Sequence, residues 1–553
     1  MKVYNPFMQT VKPVFLLLSM LTVYNAGFAQ AGKDTAKKQT IDITSSYKPV
    51  LRNSVKINFS ATQLNADTSK SIQAYNIPAQ NLFYTYQPGS LKPLALQLDT
   101  ALELGDRNFI KAGFGNYTTP YVKAGFSFGD GKTSLLNIYG DFISSIGSIR
   151  NQDFSAGSVK AAGSYFTPKS EVYGSATISQ QDHYLYGYDH TAHSFIKSEI
   201  LQRFQDFDLK GGIRNREATG SGINYSPNLE VILFNNKDKA SERTFIAEVP
   251  IEKTIDDVFS ARLAVKADLT SYSTKNLDSN VKFGNNIFHI APEIVYAKPL
   301  FNIHAGITPT WDNGKVAVFP NIYGEAQLLQ KSFLVQAGLT GRFVKNTFRN
   351  LTAINPYLQT IDTRLNTKEI ELYGGIKATL NKHFNFSAKA GLIRYTNFPF
   401  FVNDTADGKT FVLSNDSKVT DLRLHADLSF ISQDKFTITG GLTFNGYTGM
   451  QNNDKAWGTI PLELNASMRW WAFKKVLIKG DFMAFSGGPY LLKDGTNKTL
   501  SGAADLSAGV EITLTKNISA WADINNIFNN KYQRWHNYPV YGLNALAGVI
   551  VRF

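Results

Sequence analysis

The sequence predicts an all-β fold, a transmembrane antiparallel β-barrel of about 22 strands, and three observations carry that prediction. The chain ends on a strand-length segment that sets Ala545, Ala547, Val549, Val551 and the terminal Phe553 on one face. Chain termini usually fray, so a bulky apolar last residue has a use where it closes a sheet inside a membrane. From Arg107 onward, segment after segment alternates apolar with polar residues at period two, the signature of half-buried strands. The connections between these segments alternate between short turns and longer loops, as the two rims of a bacterial barrel require.

Taken in order, residues 1–29 read as a secretory signal peptide. Lys2 and Lys12 precede an apolar run from Val14 to Tyr24, and Ala26, Gly27 and Ala29 supply small residues at the cleavage site. The run is shorter than the roughly 20 apolar residues of a spanning helix, and no later stretch approaches that length. A membrane location must therefore be reached with strands, in the outer membrane of a Gram-negative cell. The chain has no cysteine, which removes lipoprotein anchoring, disulfides and thiol chemistry. The 39 Phe and 26 Tyr beside a charged fraction of only 18% suit an apolar exterior around a polar lumen. The formal net charge of +13 raises nucleic acid as a partner. An exported chain meets lipopolysaccharide phosphates instead, so outer-membrane lipid and lipopolysaccharide are the expected neighbours and nucleic acid is not.

Residues 30–106 form an N-terminal arm or minimal plug. Pro78, Pro88 and Pro93 interrupt it, and Phe83, Tyr84 and Tyr86 give it aromatic anchors. Residues 107–553 are the barrel. Strands are expected to begin near Arg107, Thr119, Lys132, Asp153, Ser170, Arg203, Gly220, Arg243, Val258, Asn285 and Leu300. The series continues near Lys315, Ser332, Lys368, Phe384, Val419, Phe436, Gly458, Val476, Gly502, Ile518 and Gly542. The alternation is plain where Leu422, Leu424, Ala426, Leu428 and Phe430 oppose Asp421, Arg423, His425, Asp427 and Ser429. Short turns such as Gly129-Asp130-Gly131-Lys132 and Lys516-Asn517 face the periplasm; longer loops over 184–202, 345–367, 397–418 and 487–500 face outward. A propeller or β-helix would repeat a motif at fixed period, and the sequence has none.

Residues 521–532, from Trp521 through Asn525, Asn526 and Phe528 to Tyr532, resemble the penultimate strand of TonB-dependent receptors. With Gly542 and Phe553 they are similar to that family's C-terminal signature. The resemblance implies a 22-stranded barrel that takes up an external ligand, with TonB pulling on an N-terminal box. Residues 39–44 are loosely similar to such a box, so that Thr40, Ile41, Asp42, Ile43 and Thr44 would contact TonB by strand addition. A plain extended arm is the competing reading. The roughly 77 residues between the cleavage site and Arg107 are too few for the family's usual plug. A barrel of this width needs a plug, so a minimal plug, a surface lipoprotein or a periplasmic plugging partner would have to occlude it.

Site chemistry is sparse, and neither an enzyme nor a cofactor is expected: no serine sits in a nucleophile elbow and the eight histidines are scattered. Gly131-Lys132-Thr133 resembles the end of a phosphate loop but fits a hairpin turn better, because Phe126 stands where that loop needs glycine. His183, His190 and His193, with Asp182 and Asp189, are a candidate divalent-metal group. Tyr184, Tyr186 and Tyr188, and on a later loop Phe398, Phe400 and Phe401, are candidates for stacking on an external ligand. Membership of the interfacial aromatic girdle is the competing reading. The leading function is outer-membrane transport of an unidentified ligand. The alternative is a non-transporting barrel that scaffolds a secretion, assembly or surface-lipoprotein complex.

Overall fold

The computed structural model describes residues 108–553 apart from 238, 276–279, 329–332, 364, 381–382 and 433–434. The expected signal peptide, the expected arm with Thr40, Ile41, Asp42, Ile43 and Thr44, and Arg107 lie outside the described residues. From Phe109–Gly115 to Asn544–Arg552 the chain forms one antiparallel sheet. Ile223–Tyr225 and Asn228–Asn236 both pair with Ala240–Thr254, so they are two pieces of one strand, broken around Pro227, and the sheet has 22 staves. It closes on itself: Phe109–Gly115 pairs with Asn544–Arg552, and the Phe553 amide donates to the Asn108 carbonyl at 3.0 Å. Among the described residues the barrel sheet has no edge strand left to pair with another molecule.

Strand starts follow the alternation closely. Thr119, Asp153, Ser170, Lys315, Phe384, Val419, Phe436, Val476 and Ile518 begin strands as expected. The larger differences are Asn280 where Asn285 was expected and Leu462 where Gly458 was expected. Gly458 instead has a positive φ of 68°, a turn conformation that a strand cannot continue through.

The two faces separate as the sequence requires. Leu422, Leu424 and Leu428 project outward and are exposed, whereas Asp421 on the same strand is buried toward the lumen. Leucine and isoleucine side chains are left uncovered in this way around the whole sheet, which is the surface a bilayer covers. Aromatic residues gather at the short-turn rim, where Phe553 approaches Phe126, Phe259 approaches Tyr296 and Phe430 approaches Phe436, with ring centroids 5.0–6.1 Å apart. These are the interfacial girdle.

The short turns are held by their own side chains. The Asp130 carboxylate accepts the amides of Lys132, Thr133 and Ser134 at 2.6–3.0 Å, and those bonds, led by Ser134, hold its carboxyl well below the usual range. Asp256 does the same for Val258 and Phe259. Gly131 has φ of 65° with open space around it, so the Gly-Lys-Thr sequence is a hairpin turn.

Candidate functional site

The long loops lie on the opposite rim and fold toward one another over the lumen. Residues 345–366 supply the key element, the helix Phe348–Ile354. Its sequence explains it. Thr347 is the N-cap, its hydroxyl accepting the Asn350 amide at 3.1 Å, and Pro356 follows the C-cap Asn355. Phe348 and Leu351 face inward and are buried. The Glu242 carboxylate, from the wall strand Ala240–Thr254, accepts the Phe348 amide at 2.8 Å, placing a negative charge where the helix exposes free N–H groups.

Around this helix, side chains from loops rooted far apart on the barrel make one apolar cluster. It contains Tyr186, Phe348, Phe401, Phe411, Trp535 and Tyr538, with wall residues Phe204, Phe234 and Tyr272. Tyr357 stacks on Tyr538 with centroids 3.5 Å apart, Tyr538 meets Tyr186 edge-on at 4.9 Å, and Trp535 meets both Phe401 and Phe411. Gly187 is required here, since a Cβ would lie 2.3 Å from the Tyr538 ring.

Hydrogen bonds stitch the same loops. Tyr186 Oη and Gln152 Nε2 both donate to the Pro539 carbonyl, and Tyr541 Oη donates to the Gln152 carbonyl. Gln359 and Tyr357 exchange backbone bonds with Phe411. Asn403 bonds both ways with Leu491, at 2.8 and 2.9 Å. Burial pushes the Tyr186 phenol up to about 12 and raises Tyr357 and Tyr538 further, so these groups stay neutral donors.

The candidate residues fall within this cover. His183 is the penultimate residue of the strand Ser170–Tyr184 and lies among the rings of Phe154, Phe204 and Tyr357. His190 bonds through Nε2 to the Tyr186 carbonyl and packs on Tyr188; His193 lies beside Phe195. Among the described residues no three His, Asp or Glu side chains are grouped to hold a metal ion. Tyr186 is in the central cluster, Tyr188 packs with Leu185 and Ile200, and Tyr184 lies under Lys197, which pairs with Asp153. Phe400 is buried with Ile393, Tyr395, Val419 and Trp457, Phe398 packs against that group, and Phe401 joins the central cluster. These aromatic rings are thus the packing of the loop cover.

Cavities lie between cover and wall. One of about 100 Å³ is lined by Arg342, Lys345, Tyr395, Phe398, Phe401 and Arg423. Another, about 350 Å³, is lined by Ser179, Gln181, His183, Asp206, Arg349 and Asn350. Arg423 is held rigidly, with Nε on Asn445 at 2.9 Å and Nη2 on Tyr395 Oη at 2.8 Å and on Asp421 at 3.1 Å. Both spaces combine aromatic and hydrogen-bonding groups, the make-up of small-molecule sites. The helix and its polar contacts with the wall are absent from the sequence-based expectations; Thr347 and Pro356, nine residues apart, are the signal that marks them.

No protein-family model matches the sequence, and no curated protein matches it. Solved structures do match in shape. The FrpB iron transporter of Neisseria meningitidis superposes with a TM-score of 0.62 at 9% identity, covering 81% of each chain. A variant of the ferric enterobactin receptor PfeA of Pseudomonas aeruginosa, solved in complex with enterobactin, gives 0.61 at 13% identity, also over 81% of each chain. FpvA of Pseudomonas aeruginosa, bound to a heterologous pyoverdine, gives 0.60 at 10% identity over 81% of this chain and 71% of that one. At such identities the likeness is one of fold. With its uncovered apolar belt, the chain folds as a closed antiparallel β-barrel of 22 staves, the fold of this transporter and these receptors.

Proposed function

We propose that this barrel is an outer-membrane transporter of the TonB-dependent receptor type, taking up a solute that its loops admit from outside. The observation that carries this reading is the barrel itself. Twenty-two staves enclose a lumen whose wall carries polar and charged side chains, such as Lys111, Glu171, Asp421 and Glu511, beside an apolar cluster that includes Phe109, Tyr121, Trp521 and Ile550. A wide polar lumen gives a hydrated solute a path through the membrane, and the fold it shares with an iron transporter and two siderophore-linked receptors supports the same reading. Residues 30–106 would serve as arm or minimal plug, and Thr40, Ile41, Asp42, Ile43 and Thr44 would offer TonB an extended segment for strand addition. A surface lipoprotein or a periplasmic protein would complete the assembly.

Site-directed cross-linking from residues 39–44 to TonB in cells tests this. Wild-type segments should cross-link, and Ile41→Pro, which removes an amide from the added strand, should abolish the product. Absence of any TonB product from the unmutated segment would defeat the TonB-dependent reading.

One observation favours the scaffold alternative: the loops that meet over the mouth bury their aromatic residues against each other and not in an open vestibule. In a scaffold the barrel would co-purify with an assembly or secretion partner, and its loss would disturb that partner without altering solute uptake.

A further inference from the structure

We propose that residues 345–363 are a latch that closes the outer mouth, with Arg349 as its bolt. The loop leaves the barrel from Phe333–Val344 and returns into Thr367–Leu380. Its anchors are elsewhere, on Leu201–Asn215, Ala240–Thr254 and Phe259–Lys275, so it reaches over the lumen to a distant part of the wall.

Three polar contacts fasten it there. Arg349 Nε is ion-paired with the Asp206 carboxylate, and its Nη2 lies 3.9 Å from Asp208. Glu242, almost wholly buried, receives the amide of Phe348 at the start of the helix. Lys345 is ion-paired with Asp268 and donates to Thr270 Oγ1 at 2.7 Å. Between the charged contacts, Phe348 packs against Phe234 and Tyr272, with centroids 6.1 and 5.8 Å apart. The cavity of about 350 Å³ lies against the bolt, sharing Asp206 and Arg349 in its lining.

A loop meant only to be a rigid lid could be held by apolar packing alone. The Arg349 pairs with Asp206 and Asp208 are partly exposed, and such contacts can be released by a competing charge or a pull on the loop, because their net strength is modest. The side chains beneath should accordingly be shielded from the outside while the bolt is home. This inference holds for a transporter or a scaffold alike.

The chain contains no cysteine, so one can be introduced cleanly. Ser179→Cys, in the cavity lining, is placed in the full-length protein in intact cells and treated with a membrane-impermeant fluorescent maleimide. Ile196→Cys on the exposed loop surface is the reference. The latch predicts slow labelling at 179, sped up about tenfold by adding either Arg349→Ala or Asp206→Asn, and slow again with Arg349→Lys. Heat-modifiable migration on gels confirms that each variant is folded. Labelling of position 179 as fast as position 196 in the latch-intact chain would overturn the proposal. So would unchanged labelling in both bolt variants.

Discussion

Asp416 shows how single residues hold the cover together. It is fully buried at the end of the loop strand Phe411–Asp416, and its carboxylate accepts the amides of Gln451, Asn452 and Asn453 at 2.9–3.0 Å. Burial alone would raise this carboxyl; the amides of Gln451, Lys418 and Asn452, with the Asn453 side chain, outweigh it and hold the group below its usual range. Its contribution is therefore complete above the unfolded value of about 3.9 and is lost as pH falls through the lower folded value. Asp416→Ala should remove the charged acceptor of these three amides and cost about 2 kcal/mol locally. Hydrogen exchange at Gln451, Asn452 and Asn453 should then accelerate by roughly thirtyfold at neutral pH; unchanged protection would contradict this role. His536 carries the opposite kind of dependence. Its ring stacks on Tyr490 at 3.9 Å, and burial lowers its pKa, so the folded loops resist its protonation. That resistance costs stability as pH falls below the unfolded value of about 6.5. At this scale the sequence drew attention to aromatic clusters but not to the direction of their rings. Tyr186, Tyr188, Phe400 and Phe401 were conspicuous as clusters, yet a loop has no period from which to infer which way a ring points.

Strands were legible because each has a polar and an apolar face, and period-two alternation leaves that in the sequence. On Asn544–Arg552 the lipid face expected from Ala545, Ala547, Val549 and Val551 is the outward one, while Leu546 and Ile550 are buried inside. Val549 lies mid-strand between Ala112 and Ala520 and is exposed to lipid. Val549→Arg should destabilise the barrel by about 2–4 kcal/mol in urea unfolding from lipid vesicles, with Val549→Ile nearly neutral. An arginine tolerated at no cost would place this face away from hydrocarbon. The helix Phe348–Ile354 was not legible in the same way: at seven residues it is too short to develop a hydrophobic period, and it is specified by its cap and by Glu242, more than a hundred residues earlier. Thr347→Ala should remove about 1 kcal/mol from that helix. Its loop, seen by proteolysis, should then be cut faster.

For the whole molecule, the terminal Phe553 and the first described strand meet as the alternation required, and the sheet is closed. Closure was legible because an even strand count returns the chain to the rim where it began. What lies over the lumen was not, because it depends on loops converging from separate parts of the barrel, and a one-dimensional pattern does not encode which loops meet. The resulting picture is a closed 22-stave barrel with polar groups along its lumen, whose mouth is covered by its own stitched loops. Planar-bilayer recording of the purified mature protein tests this most directly. The covered barrel predicts no steady conductance, with at most brief openings as loops fluctuate. A large, steady conductance comparable to that of an open pore would contradict it.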